Sequence, residues 1–152
     1  MNNVPRLLCS WFGAGWLPKA PGTWGSAAAL PLIALLAWIG GPILLGIGMV
    51  VIFGVGTWAA EQVVREDGIE DPQWVVIDEV VGQGIALLLT PPNWIAYAAG
   101  FALFRLFDIK KPWPVSWADE EIGGGLGVML DDVLAGLYAL AAMCLLQRLN
   151  LL

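Results

Sequence analysis

The sequence has no histidine and only two cysteines in 152 residues. Without histidine there is no Ser-His-Asp triad, no phosphohistidine intermediate and no histidine-ligated zinc. Cys9 and Cys144 form no CxxC pair, and neither opens a Cys-x5-Arg loop, so both thiols are expected to fill space. No GxxxxGK motif is present, which removes nucleotide hydrolysis of that kind. Charge is scarce as well: 13% of residues are charged, against about a quarter in an ordinary soluble domain. The net charge of −6 excludes a nucleic-acid footprint. No period-two alternation persists and no internal repeat is found, so strands are not expected. The first residues lack a long apolar core and a small-residue cleavage site, and are not read as a secretory signal. No Ser- or Gln-rich linker divides the chain, so residues 1–152 read as one domain.

What is there is apolar: 59% hydrophobic residues and nine tryptophans. Residues 20 to 60 carry no charge, nor do residues 80 to 104, and a spanning helix needs roughly 20 such residues. "IGGPI" breaks the first stretch at Gly40, Gly41 and Pro42, which predicts a hairpin of helices over 26–39 and 42–60. "TPPN", residues 90 to 93, breaks the second; one helix is expected from near Pro72 and another from Trp94 to about Phe107. A last helix is expected from about Val128 to Arg148, and a short one near Ser116, whose hydroxyl is placed to cap amides near Asp119. The fold class is therefore all-α, a membrane-embedded bundle of five or six helices, some short or re-entrant. If both hairpins insert, residues 1–25, 61–79 and 105–132 share one face with six of the seven basic residues, which marks that face as cytoplasmic. Trp11, Trp16, Trp24, Trp113 and Trp117 fall at the same boundary, as an interfacial belt does.

Acids gather there too. "VVIDEVVGQ" carries Asp78 and Glu79, "FRLFDIKKPWP" carries Asp108, and "GVMLDDVLAG" carries Asp131 and Asp132. An ionisable group at membrane depth costs several kcal/mol unless paired, so these carboxylates read as a site. Five of them repel one another without a cation, and an oxygen-only donor set favours a hard ion such as Mg²⁺. The plainer explanation is helix capping, at about 0.3–1 kcal/mol each. It serves Asp131 and Asp132 in a first turn, but not Asp108 near a helix C-terminus, nor Asp78 and Glu79 if their helix begins at Pro72. Arg105, one turn before Asp108, and Lys111 suit a phosphate, the first as a bidentate clamp and the second as a point charge. "KAPGTWGSAAALP" places Gly22, Thr23, Gly25 and Ser26 at a helix start, where backbone amides make an anion site. "GGGLG", residues 123 to 127, reads as a hinge that lets Asp131 approach.

With "PGTWGS" at 21–26, "DEVVGQ" at 78–83, "FRLFDIKKPWP" at 104–114 and "GGLGVMLDDVLAG" at 124–136, the chain resembles the phosphatidylglycerophosphatase A family of bacterial inner-membrane lipid phosphatases. The likeness runs from about Phe12 to Gly136 and departs at Lys110, where the family pattern has an aromatic. It implies an all-helical fold and Mg²⁺-dependent hydrolysis of phosphatidylglycerophosphate to phosphatidylglycerol on the cytoplasmic side. The motif residues it carries over are Thr23, Ser26, Asp78, Glu79, Arg105, Asp108, Lys111, Asp131 and Asp132.

The expected arrangement has Asp78, Glu79, Asp131 and Asp132 as the metal set. Arg105 and Lys111, with Gly22, Thr23 and Ser26, bind the phosphate and stabilise its charge. Asp108 orients the nucleophile, ligates metal or itself attacks phosphorus. The partner is a phospholipid in the bilayer. The competing reading is a small cation channel or transporter, which needs carboxylates spread along the depth of the bundle.

Overall fold

The computed structural model describes residues 3–152, and no strand occurs among them. Six α-helices follow in chain order: α1 (Asn3–Cys9), α2 (Pro21–Asp67), α3 (Ile77–Ala86), α4 (Trp94–Lys110), α5 (Val115–Glu121) and α6 (Gly124–Arg148). A 3-10 turn at Ala14–Trp16 links the first two.

α2 contains the expected hairpin. Its helical dihedrals fail at Gly40 (φ −137°, ψ 15°) and Gly41 (φ 60°, ψ −155°), the second a conformation essentially confined to glycine. The chain reverses there: a Cβ built on Gly48 would stand 2.8 Å from Leu36 Cδ1, so the limbs 21–39 and 42–67 lie side by side. The second limb runs seven residues past the expected end. α2 and α6 are long and apolar enough to cross a membrane. α3, at ten residues, spans only about 15 Å, and is surrounded on nearly all sides. Val80 and Leu87 pack with Ile33 and Leu45 from the two limbs of α2, and Ile77 and Val81 pack with Met129 of α6.

The first limb of α2 begins at Pro21 instead of Ser26, and other boundaries differ from expectation as well. α3 starts at Ile77 instead of near Pro72, because the loop before it is fixed outside the helix: Val75 N–H donates to Pro72 O (2.9 Å) and Val76 N–H to Cys9 O (2.7 Å). Asp78 and Glu79 consequently occupy a first helical turn, where the helix dipole favours an anion, contrary to the expectation that capping does not reach them. α4 runs on to Lys110, beyond Phe107, after Asn93 Oδ1 caps it by accepting from Ala96 N–H at 2.9 Å. Ser116 lies inside α5 and makes no cap, since Pro114 takes the N-cap position. α6 begins at Gly124, so "GGGLG" is helix start and packing surface, not a hinge: Gly125 N–H donates to Glu61 Oε2 (2.8 Å), and a Cβ on Gly125 would lie 2.9 Å from Glu61 Cα. Asp131 and Asp132 therefore stand about two turns inside α6, out of reach of a capping role.

Close helix approach depends on missing side chains. α3 and α6 cross at Gly82 and Gly136, where a Cβ on Gly136 would sit 2.5 Å from Gly82 O and 3.1 Å from its Cα. Small residues at such a crossing are how membrane helices gain contact. Gly136→Val is expected to cost about 1–3 kcal/mol through overpacking against backbone that cannot move aside. Thermal unfolding in detergent checks this, and an unchanged midpoint would sink it. Both cysteines are free, Cys9 buried in the core. Trp16, Trp24, Trp113 and Trp117 are exposed around the end of the bundle that carries the acids, and Trp11 is half-buried there.

Candidate active site

Four helices bring their polar ends to one cavity of about 380 Å³. The start of α2 supplies Ala20, Pro21 and Gly22; the first turn of α3 supplies Asp78 and Glu79; the end of α4 supplies Arg105, Asp108 and Ile109, with Lys111 just beyond; α6 supplies Asp131 and Asp132. The loop between α2 and α3 closes the wall with Asp71, Gln73 and Val75. Six carboxylates thus face two basic side chains.

Asp78, Glu79 and Asp132 are the tightest group, each offering an oxygen within 4.8 Å of the others. Asp78 and Asp132 are buried, and Asp78 Oδ1, Glu79 Oε2 and Asp132 Oδ2 have no hydrogen-bond partner among the described residues. Buried anionic oxygens left unpaired and pointed at one another are costly unless a cation joins them. The donor set, carboxylate oxygen alone, fits a hard divalent ion. The adjacent Asp131 turns elsewhere: its Oδ2 accepts from Lys111 Nζ at 2.9 Å, while Oδ1 has no partner.

Arg105 Nη1 lies 2.5 Å from Asp108 Oδ2 and 3.8 Å from Glu79 Oε1, which ties α4 to α3 across the cavity. Lys111 sits at the C-cap of α4 in left-handed backbone (φ 44°) and is bonded to both Asp119 of α5 and Asp131. Partial burial works against the ammonium, but the two carboxylates more than offset it and raise its pKa above the ordinary lysine value, so the charge is fixed at neutral pH.

Gly22 is required at its position, since a Cβ there would fall on the Glu79 carboxylate and 2.9 Å from Arg105 Nη1. Ser26 is buried and its Oγ donates back to Gly22 O at 2.9 Å. Thr23 is half-buried beside the cavity wall, and its N–H donates to Ala20 O at 3.0 Å. Of the residues expected from the sequence, the cavity gathers Gly22, Asp78, Glu79, Arg105, Asp108, Lys111, Asp131 and Asp132; Thr23 and Ser26 support the α2 start behind it. Asp71 and Gln73 line the cavity, and Asp119 braces Lys111, without any sequence expectation having singled them out. Asp71 was masked by its company, because Glu66, Asp67 and Glu70 make the segment look like a solvated acidic loop.

The profile of a family described as phosphatidylglycerophosphatase A matches residues 7–147. The phosphatidylglycerophosphatase A of Escherichia coli is 39% identical over 142 residues, covering 91% of this chain and 81% of that protein. The Haemophilus influenzae protein of the same name is 40% identical over 147 residues, covering 95% and 90%. A putative phosphatidylinositol-3-phosphatase of Bacteroides thetaiotaomicron is 45% identical over 148 residues, covering 90% and 89%. No solved structure matches the chain.

Proposed function

The chain belongs to the phosphatidylglycerophosphatase A family, and from that membership we propose that it removes the terminal phosphate of phosphatidylglycerophosphate, leaving phosphatidylglycerol in the membrane. It is an enzyme of lipid metabolism, a phosphatase. The observation that carries the reading is the meeting, in one cavity, of the Asp78–Glu79–Asp132 carboxylates with Arg105 and Lys111. Acids alone would suit a cation pathway. However, α6 has no acid after Asp132 and residues 80–104 have none at all, so the carboxylates sit at a single level.

The ion is proposed to be Mg²⁺, held by Asp78, Glu79 and Asp132 with Asp131 adjoining. When bound, such an ion neutralises phosphate charge and lowers the pKa of water. The protein's own groups do the positioning. Arg105 presents a planar fork of donors to two phosphate oxygens, and Lys111 adds a fixed positive charge beside a third. Both act where charge gathers on the equatorial oxygens in phosphoryl transfer. The α2 start at Gly22 and Thr23, backed by Ser26, lets the phosphate approach backbone closely. Asp108, held by Arg105, orients the attacking water and accepts its proton. The acyl chains stay in the bilayer, since Ile109 at the cavity wall is exposed and apolar. The site is proposed to face the cytoplasm from the bacterial inner membrane, on the side that holds six of the seven basic residues.

The test is phosphate release by purified protein in mixed micelles. Release from phosphatidylglycerophosphate is expected with Mg²⁺, to stop on chelation and to resume when Mg²⁺ is restored. Absence of release at any Mg²⁺ concentration would refute the reading. Phosphatidic acid and glycerol 3-phosphate, tried alongside, report how much of the headgroup is recognised.

A further inference from the structure

The cavity carboxylates can be sorted by what they hold. Asp78, Glu79 and Asp132 converge on one another. Asp108 is paired with Arg105, and Asp131 with Lys111. Asp71 is left over: among the described residues it makes no ion pair and no hydrogen bond, yet it lines the cavity. It also lines a smaller adjoining space of about 90 Å³ together with Asp119 and Asp131.

Its side chain is exposed, and the backbone on either side of it is anchored. The loop leaves α2 through Gly68 in left-handed backbone (φ 68°), Pro72 is buried directly after Asp71, and Val75 and Val76 are pinned to Pro72 O and Cys9 O. An exposed carboxyl lining a phosphate cavity, and so in touch with water, is free to exchange protons.

The chemistry leaves one task without a group to do it. A phosphate ester of an alcohol departs as an alkoxide, whose conjugate acid is about as weak as water, with pKa near 15.7. Such a leaving group gains typically 10²–10⁴-fold from a positioned acid. Arg105 cannot give up a proton, and Lys111 is held charged by Asp119 and Asp131. We infer that Asp71 is a catalytic residue, the general acid that protonates the headgroup oxygen as its bond to phosphorus breaks. The inference rests on the phosphomonoesterase reading above.

In the step, the water oxygen bonds to phosphorus and the bond from phosphorus to the headgroup oxygen breaks, its electron pair staying on that oxygen. The proton of Asp71 goes to that oxygen, and the proton the water loses goes to Asp108. Solvent at the mouth returns a proton to Asp71 and takes one from Asp108. Partial desolvation pushes the Asp71 carboxyl above its ordinary range; Lys111 opposes this, and Asp119 and Asp108 reinforce it. Across the cavity it also faces Asp78, Glu79, Asp131 and Asp132 and the guanidinium of Arg105, and Glu70 lines the smaller space beside it.

The experiment compares Asp71→Asn with wild type on phosphatidylglycerophosphate and on 4-nitrophenyl phosphate, whose leaving group needs no proton, and measures Mn²⁺ binding by electron paramagnetic resonance. The expected result is a fall in kcat of about 10²-fold on the lipid, a fall of less than threefold on the aryl ester, and unchanged Mn²⁺ affinity. Should the aryl ester be a poor substrate for wild type, the pH profile on the lipid decides. The wild-type rate falls as pH rises through the Asp71 pKa, and that limb is absent from the variant. Equal losses on both esters, weakened Mn²⁺ binding or a retained limb would overturn the assignment, the second making Asp71 a metal ligand instead. A wild-type protein that releases no phosphate at all overturns the underlying reading, a different outcome.

Discussion

Asp132→Asn is expected to lower Mg²⁺-dependent phosphate release by about 10³-fold or more, the several kcal/mol that a positioned divalent ion supplies. The same variant should unfold no sooner than wild type when metal is withheld. Both expectations come from one geometry: Asp132 is 2% exposed, its Oδ2 has no partner, and it stands with Asp78 and Glu79 inside 4.8 Å. Without a cation the three charges repel in a desolvated space, so replacing one with an amide of the same shape removes a cost. With a cation, the same replacement removes a ligand. Thermal unfolding with and without Mg²⁺ separates the two, because an ion that binds only the folded protein raises its midpoint; the rise should vanish in Asp132→Asn. Asp131→Asn should lose less, about 10–100-fold, as befits a group that orients Lys111. Activity within tenfold of wild type in Asp132→Asn, or a greater loss at Asp131, would sink the proposed metal set.

Arg105→Ala is expected to reduce kcat/KM by about 10²–10³-fold, the loss typical of removing one transition-state donor. Its Nη1 lies between Asp108 and Glu79, so truncation removes a phosphate donor and also frees two carboxylates that it holds in place. Arg105→Lys keeps the charge but loses the fork, and should recover only part of the rate. If the side chain acts on the developing charge, kcat falls with it; a change confined to KM would make Arg105 a binding group alone. Steady-state kinetics on the lipid in mixed micelles distinguishes these.

Much of this site was legible because membranes make charge informative. Against residues 20–60 and 80–104, which are uncharged, each of Asp78, Glu79, Asp108, Asp131 and Asp132 stands out, and their meeting follows from two hairpins that return to one face. The turn at Gly40–Gly41 was readable for a similar reason, since two glycines and a proline cannot continue a helix at ordinary cost. What stayed hidden depends on tertiary partners. Nothing in "EDPQWVV" reveals that Cys9 O accepts from Val76 N–H and so keeps α3 from starting at Pro72. The run 123–127 looks flexible until the second limb of α2 is laid against it, at which point the same glycines become the means of contact. Asp71 was hidden by its acidic neighbours, and Asp119 because its partner, Lys111, is eight residues back across a proline turn. Which of Asp131 and Asp132 joins the converging carboxylates likewise needed the rotation of α6 about its axis.

The hairpin in α2 gives the molecule a polarity that a soluble phosphatase lacks. With Gly41 at one end of the bundle and Gly22, Asp78 and Asp132 at the other, the orientation proposed above gives the enzyme access to a single leaflet. Lipid in the opposite leaflet is out of reach until something else carries its headgroup across. In that orientation phosphate is shed on one side only, and the neutral headgroup hydroxyl left behind is expected in the leaflet from which the substrate came.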